Sequence, residues 1–128
     1  MRNLNFKGST CAFCESILRK RGFKTGLFTS PHLLSVRERI RINGKPISKE
    51  MFARHFWEVY ESASKNSSTD FKFPEEPTFF EFMTILAFNV FYKEKVDVAI
   101  IEGKIVGLYY YVSLVTRSLS YMLTNLLI

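Results

Sequence analysis

Apolar and polar residues follow a helical period in some segments of the chain and alternate one by one in others, which predicts the order of its elements. From Cys11 to Arg21, apolar positions recur three and four residues apart, as on one face of a helix. We predict that Ser9 or Thr10 caps this first helix and that Gly22 ends it. Its apolar face is expected to consist of Phe13, Ile17 and Leu18.

A short strand and an exposed hairpin are predicted next. The strand covers Lys24 to Phe28, and the proline of Thr29-Ser30-Pro31-His32 leaves a loop at its carboxyl end. In open α/β sheets, ligands bind at that edge. Residues 36–42 alternate between apolar and charged side chains, which indicates a second strand, and Asn43-Gly44 supplies the two-residue turn of a hairpin.

Two further helices and a buried strand complete the pattern. Ser48 caps a helix with a broad aromatic stripe, which is more typical of a core than of a cofactor site. After a polar linker at residues 64–77, Thr78 and Glu81 form a capping box for a third helix. Residues 96–101 form a β-branched run that is typical of a buried parallel strand. The aromatic stripe consists of Phe52, Phe56, Val59, Tyr60 and Ala63.

The segment Lys7-Gly8-Ser9-Thr10 has the composition of the second half of a phosphate-binding loop. Such a loop needs a glycine where the backbone approaches the phosphates, a lysine that reaches the terminal phosphates and a hydroxyl that holds magnesium. The positive end of a helix completes it. Because Phe6 precedes the lysine, the sequence indicates a nucleotide site that lacks its leading glycine.

Glu102 is a second candidate for the same site. It follows the predicted strand at residues 96–101, so its carboxylate is expected at the carboxyl tip of a buried strand. In phosphate-loop enzymes, an acid at the end of a neighbouring strand holds the magnesium that bridges the phosphates. A loop carboxylate in water is the alternative, and the presence of Lys7-Gly8-Ser9 in the same chain favours the metal role.

Composition and charge restrict the possible partners. With 128 residues, 47% of them hydrophobic, the chain can bury one core of ordinary domain size. The net charge of +6 suits an anionic partner such as a nucleotide or a folate. Arg37, Arg39 and Arg41 alternate as on the solvated face of a strand, with phosphate or substrate contact as the alternative. The basic residues are dispersed, so nucleic-acid binding is not expected.

The cysteines and the apolar C-terminal segment have plain explanations. Cys11 and Cys14 share one face of the predicted helix without a second pair, which favours buried thiols in a reducing compartment over a redox or zinc site. Residues 105–128 approach the ~20 residues that a membrane-spanning helix needs, but Arg117 and three serines interrupt the apolar face. We therefore do not expect insertion into a membrane.

Several longer motifs follow one another in a specific order. They are KGSTCAF at residues 7–13, KTGLFTSPHL at residues 24–33 and VRERIRING at residues 36–44, followed by the strand that leads to Glu102. Together they resemble the eukaryotic-type folylpolyglutamate synthases, members of the Mur ligase superfamily. The resemblance covers roughly residues 5–102.

The resemblance implies an α/β fold. We expect part of a three-layer αβα phosphate-loop sheet, similar to the central domain of the Mur ligases, with flanking helices and an exposed hairpin. The implied reaction is the ATP-dependent addition of glutamate to the γ-carboxylate of tetrahydrofolate polyglutamates through an acyl phosphate. A carboxylate becomes a good electrophile only after one of its oxygens is phosphorylated, because phosphate can then leave when the amine attacks. The anions gathered around this step require cations.

The resemblance also implies a role for individual residues. The substrates would be ATP, a tetrahydrofolate polyglutamate and L-glutamate, with Mg2+ as the metal. The implied site consists of Lys7, Gly8 and Ser9 on the ATP phosphates, with Lys7 also catalytic, Ser30 and Glu102 on Mg2+, and His32 on the folate side.

The chain departs from the family pattern near both ends. Phe6 stands where the family has a glycine before the lysine, and the segment after Glu102 has no counterpart in the family. We expect an incomplete ATP-binding domain at residues 1–102, a divergent apolar tail at residues 103–128 and impaired activity. The alternative is a non-catalytic fragment that at most binds a nucleotide or a protein partner. We expect a monomer located in the cytoplasm, the mitochondrion or both.

Overall fold

The fold alternates helices with short strands along the chain. The computed structural model describes the backbone of residues 5–65, 78–103 and 111–116, and the side chains within residues 9–62 and 78–102. Its elements are α1 (Asn5–Lys20), β1 (Thr25–Phe28), the 3-10 helix η1 (Val36–Arg39), β2 (Ile40–Ile42), β3 (Lys45–Pro46), α2 (Lys49–Lys65), α3 (Phe79–Lys93), β4 (Val98–Gly103) and β5 (Tyr111–Thr116).

The strands form a mixed sheet in the order β3-β2-β1-β4-β5. β1 pairs in parallel with β4, with Phe28 opposite Ile101, and it pairs antiparallel with β2 on its other side. β5 pairs antiparallel with β4, with Val112 opposite Glu102. The parallel strand that the β-branched run predicted is therefore confirmed, and β1 joins the hairpin to the parallel pair of strands.

Helices cover both faces of the sheet. On one face, α1 contributes Cys11 to a small core that contains Leu27, Val98 and Ile100. On the other face, α2 and α3 pack over a larger core, which includes Phe28, Ile40, Val59, Met83, Leu86, Val90, Phe91, Ala99 and Ile101. The predicted three-layer α/β fold is confirmed, because the sheet lies between helices on both sides.

The first helix begins earlier than the sequence predicted. α1 starts at Asn5, so Ser9 and Thr10 lie inside it and the prediction that either one caps it is wrong. No proline interrupts this segment, and each added residue extends the hydrogen-bond ladder of a helix that has already formed. A single glycine there costs only about 1 kcal/mol. At the other end, Gly22 closes the helix with a φ of 92°, as expected.

The buried face of α1 also differs from the prediction. Cys11 and Glu15 are buried and Leu18 is half-buried against the sheet, whereas Phe13 is 70% and Ile17 is 59% exposed. The expected apolar face is therefore wrong for Phe13 and Ile17. Buried positions four and seven residues apart lie on one side of a helix, and a residue two positions from Cys11 is turned away by about 200°.

Residues 36–42 do not form one strand, contrary to the prediction. The segment starts as η1 and becomes extended only in β2. Ser35 begins the helical turn, since its side chain accepts a hydrogen bond from the backbone of Arg37 and its own N–H is bound by Glu38. This capping box overrides the alternation of apolar and charged residues, which by itself favours a strand.

The predicted hairpin turn is present. Asn43 has a φ of 49° and Gly44 a φ of 78°, which are the two positive angles that a type I′ turn requires. The side-chain oxygen of Asn43 accepts a hydrogen bond of 3.0 Å from the backbone N–H of Thr25, and so attaches the turn to β1.

The predicted starts of the second and third helices are confirmed. The hydroxyl of Ser48 accepts a 3.1 Å hydrogen bond from the N–H of Met51 at the beginning of α2. Thr78 and Glu81 form both halves of a capping box at the beginning of α3. These short-range hydrogen bonds satisfy backbone groups that a helix end leaves unpaired.

The aromatic stripe of α2 belongs only in part to the core. Val59 is buried, and the rings of Phe56 and Phe82 join α2 to α3 with their centroids 5.1 Å apart. Tyr60 is 52% exposed. Ala63 lies outside the residues whose side chains are described. The expectation of a structural stripe is thus confirmed for its inner half.

The predicted linker lies mostly outside the described residues, because residues 66–77 are not among them. The same holds for most of residues 105–128, of which β5 is the described part. Within the described ranges, none of the helices is both long and apolar enough to cross a membrane.

Candidate functional site

The direction of α1 brings its N-terminus to the carboxyl edge of the parallel strands. α1 runs into the start of β1 through a tight turn at Gly22, so the two elements are antiparallel. Midway along α1, Glu15 accepts a 2.6 Å hydrogen bond from the hydroxyl of Thr25, the first residue of β1. One turn earlier, Cys11 lies within electrostatic range of Glu102, near the end of β4. Cys11 thus lies near the end of β4 and Glu15 near the start of β1, so the N-terminus of α1 is at the carboxyl edge of these strands.

Glu102 is a buried carboxylate at this edge, with 9% of its surface exposed. The parallel register puts Ile101 opposite Phe28, so Glu102 is level with the residue that follows β1. Burial, followed by the nearby Glu102 and Cys14, raises the pKa of the Cys11 thiol to about 11. Glu102 is therefore an enclosed carboxylate that lies near the neutral thiol of Cys11.

Ser30 lies two residues beyond β1, in the loop that leaves the sheet at the same edge. The preceding residue, Thr29, is held by a 3.0 Å hydrogen bond from its N–H to the carbonyl of Arg39. The peptide bond between Ser30 and Pro31 is cis. Ser30 is half-buried, so its hydroxyl is at the surface of the edge and not in the core.

His32 lies further along this loop and is bound to η1. The Nε of Arg39 donates a 2.8 Å hydrogen bond to Nδ1 of His32. The guanidinium of Arg39 also lies over the ring of Phe79, 5.4 Å from its centroid. Since Nδ1 acts as an acceptor, the ring is in the tautomer with its proton on Nε2.

The backbone of the loop is fixed by Glu38. Its Oε2 accepts a 3.0 Å hydrogen bond from the N–H of Leu33, and its Oε1 accepts bonds of 3.2 Å and 2.9 Å from the N–H groups of Leu34 and Ser35. The backbone N–H groups of Leu33 and Ser35, followed by that of Leu34, hold the pKa of Glu38 below its usual range. Leu33 and Leu34 are 89% and 95% exposed.

The structure places most of the sequence-predicted site residues at one edge of the sheet. The backbone of Lys7 and Gly8 lies in the first turn of α1, and their side chains are outside the described residues. Ser9 follows in the same helix and is exposed. Ser30 and Glu102 are at the ends of the neighbouring strands β1 and β4.

The oxygen donors at this edge suit a hard divalent cation. Mg2+ and Mn2+ prefer carboxylate and hydroxyl oxygens, and Mg2+ is often held by one or two carboxylates together with substrate phosphates. Among the described residues there is no group of three or more His, Cys, Asp or Glu side chains that could hold a metal ion. Glu102 and Ser30 offer one carboxylate and one hydroxyl, the kinds of oxygen donor that such a cation takes together with phosphates.

The sequence did not indicate the roles of Glu38 and Arg39. Arg37, Arg39 and Arg41 were expected on a solvated strand face, but each donates a hydrogen bond within the fold: Arg37 to the carbonyl of Ile47, Arg39 to His32, and Arg41 to the carbonyl of Glu38. The pair Ser35 and Glu38, three residues apart, was the available signal for η1.

Comparison with known proteins gives a consistent result, although no protein-family model matches the chain. "Folylpolyglutamate synthase, mitochondrial" from Cricetulus griseus is 55% identical over 103 residues, and the Homo sapiens protein of the same name is 53% identical over 103 residues. The chain is homologous to part of folylpolyglutamate synthase. Each match covers 80% of this chain, which spans only 17% of the length of either relative.

Solved folylpolyglutamate synthases share the fold as well. The Thermotoga maritima enzyme is 33% identical with a TM-score of 0.66, covering 76% of this chain and 22% of that one. A bifunctional folylpolyglutamate synthase/dihydrofolate synthase, solved with Mn, AMPPNP and L-glutamate bound, is 32% identical with a TM-score of 0.62, covering 77% and 23%. The resemblance that the motifs indicated is confirmed in sequence and in three dimensions.

Proposed function

We propose that this chain provides the nucleotide- and metal-binding edge of a ligase that adds glutamate to the γ-carboxylate of tetrahydrofolate polyglutamates. The observation that carries the proposal is the convergence of the α1 N-terminus, Ser30 and Glu102 at one sheet edge. The homologous part of the Cricetulus griseus folylpolyglutamate synthase supports the choice of reaction. The solved relative with Mn, AMPPNP and L-glutamate supports ATP, a divalent cation and glutamate as ligands.

Each proposed residue has a chemical task. Lys7 neutralises charge on the terminal phosphates, Gly8 lets the phosphates approach the backbone, and Ser9 contributes a hydroxyl. The N-terminus of α1, which begins at Asn5, adds the positive end of the helix dipole. Ser30 and Glu102 hold Mg2+ through oxygen. When bound, Mg2+ supplies a positive charge that stabilises the anions crowded at phosphoryl transfer. Glu102 is buried, so little water competes for its carboxylate.

His32 is proposed to face the folate side. Arg39 occupies Nδ1, so the Nε2–H of His32 is the group with which the ring can donate to a substrate oxygen. The role is that of a positioning hydrogen bond and not of a proton carrier.

The first experiment measures binding of Mn2+ and AMPPNP to the purified chain by calorimetry. Replacing Lys7 with Ala should weaken binding by about 10- to 100-fold, because a hydrogen bond to a charged group contributes about 1.5–3 kcal/mol. Lys20→Ala is the matched control, since it removes a lysine from the last turn of the same helix. Equal binding by the two variants would contradict the phosphate role of Lys7.

The second experiment separates catalysis from binding. Incorporation of labelled glutamate into tetrahydrofolate is measured with ATP and Mg2+, using the native chain and Lys7→Ala. A higher rate of glutamate incorporation by the native chain than by Lys7→Ala supports ligase activity of the chain by itself. Nucleotide binding without turnover supports the alternative function, a non-catalytic fragment that binds a nucleotide. Absence of both rejects the site.

We also propose that residues 1–102 carry this function and that residues 103–128 contribute no ligand-binding side chain. β5 pairs along β4, so its backbone supports the strand that bears Glu102. Substituting Val112 with Thr should therefore leave the affinity for Mn2+ and AMPPNP unchanged.

For the location in the cell, we propose the mitochondrion, the cytoplasm or both. The Cricetulus griseus and Homo sapiens relatives are named as mitochondrial. Imaging of the fluorescently tagged full-length protein against a mitochondrial marker distinguishes the two compartments.

A further inference from the structure

One carboxylate controls the backbone of the loop that carries Ser30 and His32. The two oxygens of Glu38 accept hydrogen bonds from three successive N–H groups, those of Leu33, Leu34 and Ser35. Successive amides that point at one anion force the chain into a tight concave turn. Glu38 is thus bound to the loop at every backbone donor between residues 33 and 35.

The loop needs this support because its own side chains supply little. Leu33 and Leu34 are 89% and 95% exposed, so no apolar burial orders them. Hydrogen bonds to an ionised acceptor are roughly twice as strong as those between neutral groups. The turn of the loop is therefore maintained mainly by the charge on Glu38 and by the bond between Arg39 and His32.

Glu38 is itself held firmly at the base of the loop. It is the third residue of η1, whose start is fixed by the capping box with Ser35. The carbonyl of Glu38 accepts a 3.1 Å hydrogen bond from Nε of Arg41 in β2. Two neighbouring residues of η1 therefore bind the same loop: Glu38 binds the loop backbone, and Arg39 binds the ring of His32.

We propose that Glu38 is a positioning residue, whose ionised carboxylate keeps Ser30 and His32 at the carboxyl edge of β1. The assignment of that loop to the metal and the substrate rests on the proposed function, whereas the control of its backbone by Glu38 does not. Glu38 touches neither ligand, and it acts through the loop.

The test is a pH titration of the backbone amide signals by NMR on the full chain. An N–H that donates to a carboxylate shifts when that carboxylate is protonated, so Leu33, Leu34 and Ser35 should titrate together with one midpoint. That midpoint should lie below the ordinary glutamate value of about 4.3. The His32 ring and the Arg39 guanidinium, which are hydrogen-bonded to each other, are followed in the same spectra.

Glu38→Gln is the decisive variant. It keeps the shape of the side chain, but an amide has one acceptor oxygen, whereas the three N–H groups bind both oxygens of the carboxylate. We expect loss of the common titration and a changed signal of the His32 ring. The matched control is Glu50→Gln, which removes an exposed carboxylate from the first turn of α2. The proposal would be overturned if the three amides titrated with different midpoints in the native chain, a result that does not depend on how well the variant folds. It would also be overturned if the common titration persisted unchanged in Glu38→Gln.

A second measurement connects Glu38 with ligand binding. Mn2+ with AMPPNP is added, and the paramagnetic broadening of the Ser30 signal is compared between native and Glu38→Gln chains. We expect broadening at about tenfold higher Mn2+ concentration in the variant. Equal broadening would reject the positioning role. If Mn2+ leaves Ser30 unaffected even in the native chain, the proposed metal site fails, and the amide titration still decides the role of Glu38.

Discussion

Replacing Gly26 with Ala tests how closely α3 packs against β1. A Cβ at Gly26 would lie 2.7 Å and 2.8 Å from Cδ1 and Cε1 of Phe91, which is fully buried. Carbon atoms pack best at about 3.5–4.0 Å, so the ring would have to retreat by roughly 0.8 Å. Overpacking of this kind costs about 1–3 kcal/mol, whereas the loss of glycine's freedom in the unfolded chain returns only about 0.4–1 kcal/mol.

The expected net result is a destabilisation of about 1–2 kcal/mol, or a fall in Tm of roughly 4–8 °C for a chain of this length. Thermal and urea unfolding followed by circular dichroism measure it. A double-mutant cycle with Phe91→Leu is the control, because the smaller side chain makes room for the methyl group. The two changes should be coupled by about 1 kcal/mol in the favourable direction. Additive effects, or a Gly26→Ala chain as stable as the native one, would refute the packing argument.

Three other predictions concern single contacts. Thr25→Val should lower the free energy of unfolding by about 1.5–3 kcal/mol in urea titrations, because the carboxylate of buried Glu15 loses this hydrogen bond and keeps the one from Arg19. Below pH 9, the raised pKa of Cys11 should make its alkylation in the folded chain far slower than in urea, and equal rates would contradict its burial. Hydrogen bonds from Thr78 lower the pKa of Glu81 in the folded chain. The contribution of Glu81 to the free energy of unfolding is therefore complete above about pH 4.3 and is lost as the pH falls through the lowered pKa. Glu81→Gln should flatten that part of the stability profile, measured by unfolding at several pH values.

Local sequence signals predicted those elements whose cause is local. The positive φ angles of Asn43 and Gly44 and the capping box of Thr78 and Glu81 each depend on a few neighbouring residues. The parallel pairing of β4 with β1 could be anticipated because a β-branched run that is buried on both faces has few alternatives.

The sequence-based predictions were wrong where two local signals competed, or where tertiary packing determined which residues are buried. Ser35 and Glu38 form a capping box inside a segment that also alternates like a strand, and the hydrogen bonds of the box prevailed. On α1, spacing alone could not show that Cys11 and Glu15 face the sheet while Phe13 is exposed. Buried Glu15 is stabilised by Arg19, four residues along the same helix, and by Thr25 on β1, a donor that a helical period cannot reveal.

The same limit applies to the candidate site. The residue types at Lys7, Ser30 and Glu102 could be selected from motifs, because each has its own chemistry. The link between Glu38 and the loop of His32 depends on which carboxylate oxygen meets which N–H, and that is a property of the folded backbone.

The hydrogen bond between Thr25 and Glu15 has a consequence for the far end of α1. It sets how far the helix can slide along the sheet, since an α-helix advances 1.5 Å per residue and Ser9 is therefore about 9 Å from this anchor. A slip of one turn would move the N-terminus of α1 by about 5 Å relative to Glu102. The hydrogen bond between Thr25 and Glu15 thus fixes the position of the α1 N-terminus at the edge that we propose binds the ligands, and in a selection for the proposed activity both residues should be retained.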